Sequence, residues 1–365
     1  MKTIKDLDIK NKRVLVRCDF NVPLDERGRI EDDFRIKQAL PTLQYLIKNK
    51  AKLILMSHLA GGKSLDVVWQ RLKEYLKTKA EGITFLENLR INKGEEENND
   101  NFAKELAKLA DVYVNDAFSV CHRNHASIVG VPKFLLSGAG LLLEKEVKIL
   151  SRVLENPWRP LVVVIGGVKI ESKIKAIKNL LDKADHLLIG GKIAEPILIV
   201  KGICVGRPWP EEKAVKEIEK LDLASTKLHL PIDSLISPDE TGKVYIRESG
   251  PAKVRKDEKL LDIGPETIQM FSKIIKDAKM IVWAGPLGYF EVPKFEKGTK
   301  EIGEKIARNH RAFKIAGGGD TIFALSKFGL RDKFDHISTG GGAMLEFLSG
   351  KILPGLEALK WKSKI

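Results

Sequence analysis

Short apolar runs alternate along the chain with amphipathic stretches. The runs are continuous rather than alternating, which is typical of parallel strands buried on both faces, and the stretches between them have helical spacing. This order predicts an α/β fold built from doubly wound parallel sheets. The predicted strands are 14–16, 53–56, 112–114, 161–165, 187–189, 280–283 and 313–316, and the predicted helices include 102–110, 170–181, 267–278 and 299–307.

The same pattern predicts two Rossmann-like lobes, which suits a length of 365 residues. A helical stretch over 141–154 leads into Pro157 and Pro160, and prolines discourage a helix from continuing. We therefore predict a division near residue 155, with the helix before it acting as a hinge. The predicted domains are 1–155 and 156–350, and residues 351–365 form a basic segment expected to dock back on the N-terminal lobe.

Charge and composition narrow the classes of function. Lysine and arginine (63) exceed aspartate and glutamate (49), which gives a net charge of +14, but the excess is spread thinly. Aromatic residues make up only 7% of the chain, so few side chains could stack on bases. Three widely spaced cysteines do not indicate a disulfide framework. With no secretion signal and no apolar run near ~20 residues, we expect a cytoplasmic protein without a membrane or nucleic-acid partner.

Basic and polar residues gather after the predicted strands of the first lobe. Ligands of open parallel sheets bind beyond the carboxyl ends of the strands. One such arginine alone is best explained as a surface ion pair worth ~0–1 kcal/mol, but several at one edge predict a site for a small, multiply anionic ligand. Cys121, His122 and His125 lack a fourth ligand at zinc-finger spacing. The candidates are Arg17, Asp19, Asn21, Arg35, Ser57, His58, Asn88, Arg90, Asn115, Asp116, His122, Arg123 and His125.

Glycine-rich loops close the strands of the second lobe. Glycine lets backbone N–H groups approach phosphate oxygens, and a following helix adds its positive end. Lys169 and Lys173 are predicted four apart on the first turn of a helix, and Asp320 is available for Mg²⁺. No complete P-loop, protein-kinase or dinucleotide motif is present. The residues alone therefore predict a two-lobe small-molecule kinase with a hinge.

Twelve motifs, in order along nearly the whole chain, resemble those of the phosphoglycerate kinase family. The first six are Arg17-Cys18-Asp19-Phe20-Asn21-Val22-Pro23, Asp33-Phe34-Arg35-Ile36, Met56-Ser57-His58-Leu59, Glu87-Asn88-Leu89-Arg90, Val114-Asn115-Asp116-Ala117-Phe118 and His122-Arg123-x-His125-Ala126-Ser127. The others are Gly166-Gly167-x-Lys169, Leu230-Pro231-x-Asp233, Asp262-Ile263-Gly264-Pro265-Glu266-Thr267, Gly285-Pro286-x-Gly288-x-Phe290-Glu291, residues 317–321 and Ser338-Thr339-Gly340-Gly341-Gly342-Ala343.

The resemblance implies reversible phosphoryl transfer from 1,3-bisphosphoglycerate to Mg·ADP, giving 3-phosphoglycerate and ATP, by a glycolytic enzyme that is a monomer. It implies that the glycerate is bound by Asp19, Asn21, Arg35, His58, Arg90, Arg123 and His125. The implied nucleotide-binding residues are Lys173, Gly190, Gly191, Pro286, Glu291, Gly318, Gly319, Asp320 and Thr321, with Asp320 toward Mg²⁺. Arg35, Lys169, Gly340, Gly341 and Gly342 would stabilise the transferring phosphoryl group.

The chain departs from the family pattern in three places. Gly61 stands where the family has an arginine, so Lys63 would have to replace that cation. Ala284 stands where an asparagine is expected, and Lys192 and Glu195 bring charge to the adenine-side segment. Each lost charged hydrogen bond costs ~1.5–3 kcal/mol, which predicts weaker binding or slower turnover rather than loss of activity.

Two alternatives stay open at this stage. The charged adenine-side segment also suits an enzyme that uses another phosphoryl donor, such as GTP or pyrophosphate. The net charge of +14, together with the departures, also suits a binding protein on an inherited scaffold, with nucleic acid as its partner.

Overall fold

The computed structural model describes residues 1–204 and 209–360. The chain divides into two compact units. The first contains Met1–Ser151 and the described residues from Ile352 onward, and the second is Arg152–Lys351. Residues 361–365, the end of the predicted docking segment, lie outside the described residues.

The first unit is built on a five-stranded parallel sheet. In this sheet β1 pairs with both β2 and β4, and Arg17 at the end of β1 lies opposite Met56 and Asn115. The ends of the three central strands therefore meet at one edge. The strands are β1 (Arg13–Arg17), β2 (Lys52–Met56), β3 (Thr84–Phe85), β4 (Val112–Asn115) and β5 (Leu136–Ala139), in the order β3-β2-β1-β4-β5.

Helices of the first unit connect these parallel strands. The central strands β1, β2 and β4 are mostly apolar and buried because helices pack on the sheet and cover the core around Leu15, Leu55 and Val114. The helices are α1 (Phe34–Lys48), α2 (Asp66–Leu76), α3 (Lys93–Glu96), α4 (Asp100–Lys108) and α5 (Leu141–Glu155). The last of these runs across the division between the two units, at Ser151 and Arg152.

Helix α5 begins at a buried carboxylate. Oδ1 of Asp116 accepts the N–H groups of Leu142 and Leu143 at 2.9 and 3.3 Å. Burial raises the pKa of Asp116 to about 7, although hydrogen bonds from Thr42 and from these two amides act to lower it. The folded chain therefore binds the proton of the Asp116 carboxyl group more tightly than the unfolded chain does. The contribution of this group to the free energy of unfolding falls as the pH rises from about 4 to about 7.

Asp116→Asn is expected to flatten this decline, because asparagine keeps the accepting oxygen and has no charge to bury. Urea unfolding should be measured near pH 5 and near pH 8. Between these two pH values the free energy of unfolding of the wild type should fall by about 1–4 kcal/mol more than that of the variant. Asp66→Asn, which changes an exposed carboxylate at the start of α2, is the matched control. Identical pH slopes for the wild type and Asp116→Asn would contradict the prediction.

The second unit is built on a six-stranded parallel sheet. Its central strands are fully buried and pair in register, with Val163 beside Val282 and Leu187. The strands are β6 (Leu161–Ile165), β7 (His186–Ile189), β8 (Leu228–His229), β12 (Met280–Ala284), β13 (Phe313–Gly317) and β14 (His336–Ser338), in the order β14-β13-β12-β6-β7-β8. The helices are α6 (Ile174–Lys183), α7 (Ala194–Val200), α8 (Glu212–Ile218), α9 (Pro265–Asp277), α10 (Lys297–Arg308), α11 (Gly319–Lys327) and α12 (Gly341–Leu348).

A small antiparallel sheet in the second unit was absent from the sequence-based prediction. It contains β9 (Ser234–Ser237), β10 (Arg247–Ser249) and β11 (Lys259–Ile263), in the order β10-β9-β11. These strands are short, and β10 has no apolar residue, so neither continuous nor alternating apolarity marks it. The seven predicted strands and the parallel, doubly wound α/β class are confirmed.

The prediction of a helix from residue 170 was wrong at its beginning. Helix α6 starts at Ile174, and Lys173 is its N-cap residue. The preceding residues form a turn, in which the N–H of Lys173 donates to the carbonyl of Ile170 at 2.8 Å. Lys169 and Lys173 therefore do not share the first helical turn, where the positive helix end would repel both ammonium groups.

The chain returns to the first unit near its end. The short helix α13 (Pro354–Ala358) contains Gly355, whose N–H donates to the carbonyl of Cys121 at 2.8 Å. A Cβ atom on Gly355 would lie 2.7 Å from a methyl group of Ile128, so only glycine allows this approach. Among the described residues, the helices are too short or too polar to cross a membrane.

Candidate active site

Asp19 organises the polar edge of the first unit. It follows β1 and is 5% exposed. Its Oδ1 accepts the N–H of Asn21 at 3.0 Å, and its Oδ2 accepts hydrogen bonds from Arg35 Nη1 and Ser119 Oγ. Burial acts to raise the pKa of Asp19, but the charge of Arg35 and the hydrogen bonds from Ser119 and Asn21 act in the opposite direction and the pKa is lowered. The carboxylate is therefore charged and fixes the Arg35 guanidinium at the start of α1.

His58 lies within a group of arginines. It is buried after β2, and its Nδ1 lies 3.2 Å from Nη2 of Arg17. Burial and the charges of Arg17, Arg90 and Arg35 lower the pKa of His58 to about 3, although Asp19 acts to raise it. The imidazole is thus neutral at physiological pH. It offers hydrogen bonds without adding a further charge to the cluster.

The arginines in this cluster repel one another. Burial, and then the charge of Arg123, lowers the pKa of Arg90, whose Nε is 3.2 Å from Glu96. A cation whose pKa is lowered by a neighbouring cation is stabilised by an anion placed between the two. Arg17, Arg35 and Arg90 around His58, together with Arg123 beside Arg90, could therefore hold a multiply charged anion.

A buried network that the sequence did not predict lies under this cluster. Arg17 is 1% exposed, and its Nε donates to Ser127 Oγ at 2.9 Å. Ser127 donates from Oγ and from its N–H to the two carboxylate oxygens of Glu95, at 2.6 and 2.9 Å. The Nδ1 of His125 lies 3.7 Å from the same carboxylate. Glu95 thereby balances the charge of Arg17 and places His125.

The remaining residues predicted for the first lobe lie near this edge. Asn21 Oδ1 accepts the N–H of Ala60 at 2.8 Å, which ties it to the loop that contains Gly61. Gly61 has φ 73°, and no atom lies within 4 Å of the position of a Cβ. The left-handed backbone, rather than crowding, disfavours an arginine there. Lys63 is exposed in the same loop, and its carbonyl accepts Asn88 Nδ2 at 2.8 Å.

In the second unit, three strand-end loops pack glycine against glycine. A Cβ atom on Gly166 would lie 2.0 Å from the carbonyl oxygen of Pro286, and one on Gly285 would lie 2.3 Å from that of Gly166. Gly191 meets Gly167 and Pro286 in the same way, and the Gly167 N–H donates to the Pro286 carbonyl at 2.7 Å. Side chains are thus excluded, and the loops after β6, β7 and β12 present backbone.

Two helices begin beside these loops. Helix α11 follows Gly318, and α12 follows Gly340 and begins at Gly341. Gly341 lies so close to Gly318 that a Cβ atom on Gly341 would be 2.8 Å from the Cα of Gly318. In the same region, Thr321 Oγ1 accepts the N–H of Gly285 at 2.7 Å. The first N–H groups of both helices therefore lie close together, where they favour phosphate oxygens.

A cleft of about 240 Å³ opens beside the glycine loops. Of the residues predicted to bind nucleotide, Gly191, Pro286, Glu291 and Asp320 line it, while Gly190 is buried against Leu287. The cleft also has Leu260 and Leu261, whose segment shows no ligand motif, and Tyr289, an unspecified position within the Gly285–Glu291 motif; none of the three was predicted from the sequence. Lys192 lines the cleft, but Glu195 is not among the described lining residues.

The two predicted lysines differ in burial. Lys169 is exposed, whereas Lys173 is half-buried, and a Cβ on Gly167 would lie 2.4 Å from its Nζ. Burial lowers the pKa of Lys173, and the charge of Asp320 acts to raise it. A desolvated ammonium group beside the glycine loops and near an exposed carboxylate is well placed to attract phosphate.

The fold and the two half-sites define a class of protein. An arginine cluster for a small anion on one α/β unit, and a glycine-lined cleft beside two helix N-termini on the other, are the parts of a small-molecule kinase. Residues 4–351 match the family model described as "Phosphoglycerate kinase". The chain belongs to the phosphoglycerate kinase family, and the predicted family and enzyme class are confirmed.

Relatives match the chain over almost its full length. The phosphoglycerate kinase of Dictyoglomus turgidum is 44% identical and that of Finegoldia magna is 43% identical, with at least 98% of each chain covered. The solved phosphoglycerate kinase structure from Coxiella burnetii has a TM-score of 0.86 at 39% identity, covering 99% of both chains. That from Pyrococcus horikoshii has a TM-score of 0.84 at 30% identity, covering 99% of this chain and 98% of that one.

Proposed function

We propose that this chain transfers the acyl phosphate of 1,3-bisphosphoglycerate to Mg·ADP, reversibly, giving 3-phosphoglycerate and Mg·ATP. The observation that carries the proposal is the group of arginines around neutral His58. The carboxylates of Asp19, Glu95 and Glu96 balance only part of the positive charge of these arginines. The family, and the cleft of the second unit, supply the nucleotide side of the reaction.

In the first unit, Arg35, Arg90 and Arg123 bind the glycerate carboxylate and phosphate. Guanidinium forks grip such groups through paired hydrogen bonds, which fixes orientation as well as position. Asp19 and Asn21 position the arginine and the loop beside them, and they accept from the glycerate hydroxyl group. Neutral His58, together with His125, completes the predicted set.

In the second unit, Gly191, Pro286 and Glu291 line the nucleotide cleft, and the N–H groups at Gly318, Gly319 and Gly340–Gly342 receive its phosphates. Thr321 acts through another group, because its hydroxyl oxygen accepts the Gly285 N–H. Lys173 and Lys169 bring positive charge to the phosphoryl groups. A metaphosphate-like transition state needs this positioning and charge neutralisation more than covalent catalysis.

Asp320 fits the role of the Mg²⁺ ligand. Its carboxylate is exposed in the cleft at the start of α11, and Mg²⁺ is commonly bound by one or two carboxylates together with substrate phosphates. The described residues contain no cluster of three or more metal-ligating side chains, so the phosphates would complete the coordination. When bound, the ion would neutralise charge on the phosphates. A cytoplasmic location and a monomeric state stay predictions of the sequence analysis.

We expect the purified chain to form ADP from Mg·ATP only when 3-phosphoglycerate is present, with the bisphosphoglycerate trapped as it forms. The carboxylate that attacks in this direction, and leaves from the acyl phosphate in the other, is already ionised, so no general base is needed and the rate should depend on Mg²⁺ and both substrates. Asp320→Asn should raise the Mg²⁺ requirement, and Asp332→Asn, which changes a nearby carboxylate outside the cleft, is the control. Turnover without 3-phosphoglycerate would contradict the proposal.

The same assay tests the nucleotide. Lys192 lines the cleft, so GTP and pyrophosphate should be compared with ATP as donors. We expect ATP to give a higher kcat/KM than pyrophosphate, because Leu260, Leu261 and Tyr289 offer apolar surface for a purine. A preference for pyrophosphate would instead assign the cleft to phosphate groups alone.

A further inference from the structure

A second basic groove lies in the second unit, along helices α9 and α10. It has a volume of about 540 Å³, and none of its described lining residues belongs to the nucleotide cleft. Five cations line it, Lys273 and Lys276 from α9, Lys305 and Arg308 from α10, and Arg311 beyond α10. Its only described acidic residue is Asp277. We call it the α9–α10 groove.

This imbalance of charge is shared by an adjoining groove with Arg159, Lys279 and Arg311, but it is not found in every groove of the basic surface. Another groove along α10 has a similar size, about 450 Å³, and shares Lys305. That groove is lined by three lysines and three glutamates, so its charges cancel. The excess of cations is therefore concentrated in the α9–α10 groove rather than distributed evenly along α10.

The fold does not use these cations for its own stability. Lys273, Lys276, Lys305 and Arg311 are exposed and form no ion pair with other described residues, and Arg308 alone contacts a carboxylate, Glu304 at 3.1 Å. They are not needed to neutralise the negative end of α9 either. There the amide Nδ2 of Asn309 donates to the carbonyls of Ile275 and Ala278, at 2.8 and 3.1 Å.

One polar atom of the groove lacks a partner. Ser272 lies on α9 between the cations, and its Oγ is buried without a hydrogen bond to any described residue. A buried hydroxyl without a partner is costly, and a serine in a helix usually returns its hydrogen bond to the backbone. The hydroxyl has almost no accessible surface, so an oxygen-rich anion in the groove would accept this hydrogen bond only after the Ser272 side chain turns outward.

We propose that the α9–α10 groove binds a compact polyphosphate anion. Five cations in one groove suit several phosphate groups better than a single one. Nucleic acid is the less suitable ligand, because the described lining contains no phenylalanine, tyrosine or tryptophan to stack on bases. The neighbouring Trp158 is 45% exposed, but its ring already contacts Arg152, 4.8 Å from the ring centre, and the ring of Phe313.

The test is calorimetric titration of the full chain with inorganic tripolyphosphate at physiological ionic strength. The triple variant Lys273→Gln/Lys276→Gln/Lys305→Gln is compared with Lys213→Gln/Lys216→Gln/Lys220→Gln, which removes equal charge in and beside α8. Wild type and control should show a binding step that the groove variant lacks or that is weakened about tenfold or more. All three should keep the same melting temperature and turnover, since the substituted lysines are exposed and lie outside the nucleotide cleft.

Three results would overturn the proposal. One is an unchanged titration in the groove variant, which would leave all polyphosphate binding to the substrate sites. Another is an equal loss of tripolyphosphate binding in the control variant, which would show that the effect comes from net charge alone. The third is binding of a single-stranded oligonucleotide, lost in the groove variant, without binding of tripolyphosphate. Failure of the kinase assay would not produce any of these results, because the comparison between variants does not depend on turnover.

Discussion

Arg35→Ala should lower kcat by about 10³-fold or more, because one well-placed cation contributes that much to phosphoryl transfer. Arg35 is 29% exposed in its side chain and is fixed by Asp19, so it is positioned before any ligand arrives. Its removal leaves Asp19 with fewer partners and should destabilise the fold by only about 1–3 kcal/mol. Turnover at saturating substrate, together with the melting temperature, separates the two effects.

Two further variants sharpen the Arg35 experiment. Arg35→Lys keeps the charge but not the fork, and should recover stability more fully than turnover. Arg29→Ala removes an exposed guanidinium whose only ion pair with a described residue is with Asp25, and it should leave stability and turnover unchanged. If Arg35→Ala kept the wild-type kcat, Arg35 would have no role in the transfer and the predicted catalytic set would be wrong.

The sequence predicts those features whose signal is local. Each of the seven predicted strands is a continuous apolar run. The predicted beginning of α6 was wrong because the apolar spacing over 170–181 does not show that residues 170–173 form a turn. The β10 strand was not predicted because its pairing with β9, rather than a run of apolar residues, defines it.

Long-range partners in the site could not be predicted in the same way. Ser119 donates to Asp19 from a position 100 residues away, and Glu95 contacts Ser127 across 32 residues. Nothing in the segment around Glu95 distinguishes it from neighbouring Glu96, which is exposed while Glu95 is fully buried. The burial of one of two adjacent glutamates follows from packing between α3 and the π-helical turn at Ala126–Gly130, which brings Ser127 to Glu95.

Glu95→Ala should be the most destabilising of the substitutions considered, at about 3–5 kcal/mol, because it leaves the buried guanidinium of Arg17 without its carboxylate. Burial acts to raise the pKa of Glu95, but His125, Arg17 and Ser127 outweigh it and lower the pKa to about 2. The carboxylate therefore contributes stability above about pH 4.5, and this contribution is lost as the pH falls toward about 2. Glu105→Ala, on the exposed face of α4, is the control.

Glu95→Gln distinguishes charge from hydrogen bonding at this position. Glutamine keeps an oxygen that can accept from Ser127 but cannot neutralise Arg17, so an intermediate loss of stability is expected. Urea unfolding at neutral pH measures all three variants, and the gap between Glu95→Ala and the wild type should shrink in acid. If Glu95→Gln lowered the free energy of unfolding as much as Glu95→Ala does, the stabilising effect of Glu95 would come only from neutralising the charge of Arg17. If Glu95→Gln cost nothing, the network under the anion site would depend on hydrogen bonds rather than on the ion pair.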